Sequence, residues 1–171
     1  DSYEAYMSSQ SWSPYREYFE PYDYGDLSEF YPDYYISSDY SSDGGVETLQ
    51  TATVGNGIDI VLMGDAYSDR EIADGSYEAD MEYMYDNLFT QEPFKTYKDL
   101  FNVYYVNVVS MTEGYENSGA ALGGFFGDGT LVGGNDNKCF EYALNAVSED
   151  RMDEALIIVA MNLNLTEQKL L

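Results

Sequence analysis

Carboxylates dominate the chemistry open to this sequence. Asp and Glu total 32 against 7 Lys and Arg, and the formal net charge is −25. Asp65, Glu113, Glu116 and Asp128 fall at or just after segments that read as strand ends, where α/β proteins bind ligands. Oxygen ligands of this kind suit Ca²⁺, and a facing pair could do acid–base work. No EF-hand spacing joins the four, and solvated loop carboxylates are the plainer reading. The absence of His is the sharper constraint. It removes Ser-His-Asp and Cys-His catalysis and every His-ligated metal site from this sequence. Gly55-Asn56-Gly57 resembles a nucleotide loop, but it precedes its strand, whereas a dinucleotide fingerprint follows one. No Walker lysine accompanies it.

Charge narrows the partners. Phosphate binding needs clustered Lys and Arg, so nucleic acid is excluded as a partner, and anionic membrane surfaces are disfavoured for the same reason. No apolar run approaches the roughly 20 residues of a bilayer span. The lone Cys139 leaves no internal disulfide framework. The chain opens on Asp1 rather than Met, and "DSYEAYMSS" has no basic or apolar leader region, as expected of a processed or trimmed product.

The elements that must position these residues begin after an uneven start. Residues 1–53 are Tyr-, Ser- and acid-rich, with Arg16 the only base, and read as an irregular arm or linker. From residue 54 the pattern becomes globular. Ile58, Ile60, Val61, Leu62 and Met63 form a short apolar run, as in a strand covered on both faces. Ser68 and Glu71 have capping-box spacing, with Tyr67 and Ile72 at the staple positions. Ser76 is placed to cap a second helix, along which Tyr77, Met81, Met84, Tyr85 and Leu88 recur at helical spacing. Residues 102–110 read as a second strand. A long glycine-rich stretch follows, with a hairpin expected between Phe125-Phe126 and Leu131-Val132 across Gly127-Asp128-Gly129. Asp136 or Asn137 is placed to cap a third helix, buried through Cys139, Tyr142, Ala143, Ala146 and Val147. Residues 155–161 give a third strand. Right-handed crossovers would make the strands parallel neighbours in a three-layer α/β sandwich with a mostly parallel sheet.

The runs "GIDIVLMGDAYSDREI", "GSYEADMEYMYDNLFTQEPFKTYKDLFNVYYVNVVS", "KCFEYALNAV" and "ALIIVAMN", about residues 55–162, carry a resemblance. They resemble the N-terminal part of the catalytic domain of the bacterial IgA peptidase family, zincin-type zinc metallopeptidases. The resemblance implies a secreted or cell-surface enzyme acting on protein or peptide substrates. It also implies zinc held by a helical HExxH motif, with the motif Glu as general base for a metal-activated water. In the family those residues lie downstream of the strand matching "IIVAMN". No position here matches a zinc ligand or the general base, so no catalytic or metal residue is assigned. The ending "LNLTEQKLL" departs from the family's continuation.

The leading expectation is therefore residues 54–171 as a partial peptidase domain lacking its zinc helix, inactive by itself and binding no zinc. The alternative is a non-catalytic extracellular binding module that uses the acidic Tyr-rich arm, stabilised by calcium. A truncated domain should leave Ile157, Val159, Leu163 and Leu165 at an open apolar edge.

Overall fold

A computed structural model describes residues 35–114, 119–126 and 132–162, all within the second of the two units into which the chain divides, Tyr35–Leu171. Strand β2, Ile58–Asp65, is the centre of the fold. It pairs in parallel with β3, Phe101–Val106, on one side and with β6, Leu156–Met161, on the other. Both neighbours are reached by crossovers, as the sequence order requires. A position flanked by strands explains the continuous apolar run. Ile60, Val61, Leu62 and Met63 are fully buried, while Ile58 at the open end is 44% exposed.

The sheet has a fourth strand that the sequence reading leaves in the irregular arm. Residues Val46–Gln50 form β1, antiparallel to the outer side of β3, which makes the order β1-β3-β2-β6 and the sheet mixed. The reason it escapes notice is its one-sided burial. Val46, Glu47 and Thr48 are exposed, as suits an edge strand, so no apolar run announces it.

Two hydrophobic clusters divide the side chains of the sheet by alternation. Ile60, Leu62, Phe101, Val103 and Tyr105 pack with Tyr77 and Met81. Val61, Met63 and Val106 pack with Val108, Leu122, Ala143 and Val147. Strand β6 splits the same way, with Ile158 and Ala160 in the first cluster and Ile157 and Val159 in the second. Each large apolar side chain so buried contributes about 1.5–3 kcal/mol.

Helix α1, Asp69–Ala73, starts at the expected capping box: Ser68 and Glu71 bond reciprocally through side chain and backbone. Helix α2, Ser76–Leu88, is capped differently from the expectation. Gly75, not Ser76, holds the N-cap position, at φ 87°, and no side chain caps the helix. Ser76 is already the first helical residue, because two helices joined by only Asp74 and Gly75 need a left-handed turn that glycine adopts without strain. Beyond it a one-turn 3₁₀ segment, Lys98–Leu100, leads into β3.

The expected hairpin forms with its second strand one residue later. Strand β4, Phe125–Phe126, pairs with β5, Val132–Gly133, and the turn between them lies outside the described residues. Helix α3, Asp136–Ala143, is capped by Asn135, whose side chain accepts from the Lys138 amide, rather than by Asp136 or Asn137. Its Ala143 is buried, with Cys139, Tyr142 and Ala146 packed beside it, as the spacing predicts.

Candidate functional site

Asp65 ends β2 fully buried. The chain leaves it through Ala66 at φ 66°, a left-handed conformation uncommon for a residue with a Cβ. The Asp65 carboxylate organises that turn. Oδ1 accepts from the amides of Ala66 and Leu122, both at 2.9 Å, and from Ser110 Oγ at 3.3 Å. Oδ2 accepts from the Gly124 amide at 2.7 Å. Ser110 Oγ in turn accepts from the Ala66 and Ala121 amides, both at 3.0 Å. One buried carboxylate thus ties the end of β2 to residues 121–124. Gly124 lacks a Cβ for a steric reason: the added atom would collide with Met161 Sδ and lie 2.7 Å from Asp65 Oδ2.

Gly64 and Tyr67 fix the other side of the turn. The Gly64 amide donates to Tyr77 Oη at 2.9 Å, and Tyr77 Oη donates to the Val106 carbonyl. A Cβ on Gly64 would lie 2.6 Å from the Tyr67 ring and 2.7 Å from that of Tyr77. Tyr67 donates to Asp80 on α2 at 2.8 Å. Burial raises the Tyr67 phenol far above its ordinary value, reinforced by Asp80, and burial likewise raises Tyr77. Both stay protonated donors and have no acid–base role near neutral pH.

A second polar group joins α1 to the end of β6. Asn162 donates its backbone amide to the Asp65 carbonyl at 2.9 Å. Its side-chain amide donates to the Ala66 carbonyl at 3.1 Å and to Glu71 at 2.8 and 3.0 Å. Burial raises the Glu71 carboxyl against the lowering by its Ser68 and Asn162 hydrogen bonds. Glu113 takes both Arg70 Nε and Nη2, a bidentate pair, and accepts from Ser68 Oγ at 2.6 Å. Arg70 also lies over the Tyr35 ring, 4.3 Å from its centroid.

Residues 35–45 run across these strand ends. Ile36 bridges Thr112, and Ser37 Oγ donates to the Ser110 carbonyl at 2.7 Å. Asp69 Oδ2 accepts the amides of Ser38 at 3.0 Å and Asp39 at 2.7 Å. Burial pushes the Asp69 carboxyl up, but these amides, Tyr35 and the Arg70 amide outweigh it and hold it below the ordinary carboxylate value.

The four sequence candidates divide accordingly. Asp65 is taken up by four donors and Glu113 is paired with Arg70, while Glu116 and Asp128 lie outside the described residues. Among the described residues no three His, Cys, Asp or Glu side chains converge as a metal site would need. Zinc requires three or four such ligands, so the described residues do not fit it. The loop Gly55-Asn56-Gly57 has a structural role. Its carbonyls accept from Arg151 and Asn102, and Arg151 pairs with buried Asp59 at 2.6 Å. Sequence reasoning missed Ser110, Asp69 and Asn162; a lone Ser, Asp or Asn carries no periodic signal.

Beside Asp65 lies a cavity of about 470 Å³, bounded by β6, α3 and the β4–β5 hairpin. Its floor is Ile157, Val159 and Met161, and Cys139 and Phe140 line it from α3. Burial, then the charges of Asp65 and Asp136, raise the Cys139 thiol above its ordinary value, so it is a poor nucleophile.

Residues 46–126 match the family model described as IgA Peptidase M64. The matched segment is just under half of the chain. It opens on the first residue of β1 and closes on the last of β4, taking in the capping box and both turns at Gly64 and Gly75. No curated protein matches the chain.

Proposed function

We propose, from the M64 peptidase segment at residues 46–126, that this chain is the N-terminal part of a zinc-dependent peptidase catalytic domain. Its contribution to that domain is the sheet and the braced strand ends. The zinc-holding residues of the complete enzyme come from outside the described residues, and the chain by itself hydrolyses no peptide bond. Packing of α2 residues in one cluster and α3 residues in the other supports a three-layer zincin-like arrangement. The complete enzyme would act on protein or peptide substrates, in a secreted or cell-surface setting.

The observation that carries this reading is the family match to residues that build β1 to β4. The total lack of His supports the inactivity, since it removes HExxH from this chain. Calorimetric titration with zinc, paired with a casein and immunoglobulin cleavage assay, tests it. No stoichiometric tight binding and no chelator-sensitive cleavage are expected. Either one would overturn the reading.

A further inference from the structure

The cavity beside Asp65 takes no part in the catalytic reading and opens on the second cluster, whose Leu122, Cys139, Ile157 and Val159 line it. Its floor is apolar, through Val159 and Met161, yet the aromatic at its mouth is half-exposed: Phe140 is 47% exposed. Phe125, against Gly133 of the hairpin, is 53% exposed, and Leu144, one turn beyond Phe140, is 47% exposed. Clustered exposed apolar side chains around a concavity mark interaction sites. At about 470 Å³ the space is within the range of ligand pockets.

Charge selects the occupant. The cavity lining carries Asp65 and Asp136, and no Lys or Arg among the described residues. Glu141 is exposed on the same helix. The nearby Lys138 is engaged, its Nζ donating to the Ala121 carbonyl at 2.9 Å. The chain as a whole carries −25. An anionic or acidic ligand would meet repulsion throughout, while a basic one would be drawn in.

We propose that this cavity is a socket for a polypeptide partner, a basic segment that inserts one large aromatic or aliphatic anchor between α3 and β6. The anchor rests on Val159 and Met161 and stacks near Phe140, and flanking Lys or Arg side chains lie by Asp136 and Glu141. This docking site stands independently of the peptidase reading, because it needs neither zinc nor the zinc helix.

Cys139 is the only cysteine of the chain and lines the socket, so it reports occupancy directly. The rate of its alkylation by N-ethylmaleimide would be followed on the full chain at 0.15 M salt. The probes are acetyl-Lys-Lys-Phe-Lys-Lys-amide and its counterpart with Ser in place of Phe. Equal charge makes the difference between them report the anchor. The Phe peptide should slow alkylation saturably, at a concentration about tenfold or more below that of the Ser peptide, as burial of one aromatic implies. Phe140→Ser, at an exposed position, should erase most of that difference, and Val159→Trp should fill the socket and abolish it. Equal protection by both peptides would reduce the effect to bulk charge and overturn the proposal. Alkylation still blocked without peptide in alkaline buffer, where the raised thiol is ionised, would assign the socket to the chain's own residues. Protection that grows with protein concentration alone would assign it to a second copy. Either result also overturns it.

Discussion

Two carboxylates show how residue context decides behaviour. Asp65 receives three backbone amides and a hydroxyl, so its work is structural. Asp65→Asn replaces one acceptor oxygen by a donor that must face an amide. The expected loss is about 1–3 kcal/mol, the cost of an unsatisfied buried group, read by urea unfolding at pH 7. Asp69 differs because its carboxyl is held below the ordinary value in the folded state. A depressed carboxylate stabilises above its unfolded value, near about 3.9, and that stability is lost as pH falls through the folded value. Asp69→Asn should therefore be less stable than the parent at pH 7, by on the order of 1 kcal/mol. The gap should close as pH falls through that lowered value and the parent's own carboxyl is protonated. Glu71 works the other way: burial raises it, so its ionisation subtracts stability as pH rises through that raised value. Paired melts of the Asp69 variant and parent between pH 2 and pH 7 isolate the Asp69 contribution.

At the scale of elements, what the sequence made legible were the buried apolar repeats. The run at Ile60 to Met63, the α2 stripe and the α3 face through Ala143 all sit where their spacing puts them, because burial leaves a periodic signature. Strand β1 was illegible, since Val46, Glu47 and Thr48 are exposed and its pairing to β3 is a backbone matter. Caps slipped by one residue at Ser76 and Asp136, where Gly75 and Asn135 satisfy the same geometric need. The site was legible only at Asp65, Ser68, Glu71 and Glu113. The links that join them, Ser110 and Asn162, come from distant strands and show only in three dimensions. The turn after β2 offers the element-scale test. A methyl on Gly64 would sit 2.6 Å from Tyr67 and 2.7 Å from Tyr77, rings that are themselves edge-to-face with centroids 5.0 Å apart. Gly64→Ala should cost about 1–3 kcal/mol by overpacking. The Tyr67–Asp80 bond should weaken with it, seen as faster amide exchange along α2. Gly75→Ala has open space around its Cβ and should cost only the left-handed backbone strain, about 1 kcal/mol.

The whole molecule sets repulsion against an open edge. Strand β6 closes the sheet order, and its outer side has no strand partner among the described residues. Ile157 and Val159, expected at an apolar edge, are half-buried, and Leu156 is 39% exposed; Leu163 and Leu165 lie outside the described residues. An unpaired edge with apolar side chains is a template for association. The charge of −25 opposes it. Like charges repel over about one Debye length, roughly 8 Å at physiological salt and roughly 3 Å at 1 M. Strands that pair must approach to about 5 Å, inside the first range and beyond most of the second. At low salt repulsion should keep the chain dispersed. Toward 1 M salt the edge should drive dimers or larger assemblies, visible as rising scattered intensity across a salt series. A Leu156→Lys change, at the β6 residue that is already 39% exposed, should suppress that rise, because it places a solvated charge on the edge strand. A chain that stays monomeric and melts cooperatively at every salt concentration would show that the outer side of β6 is covered.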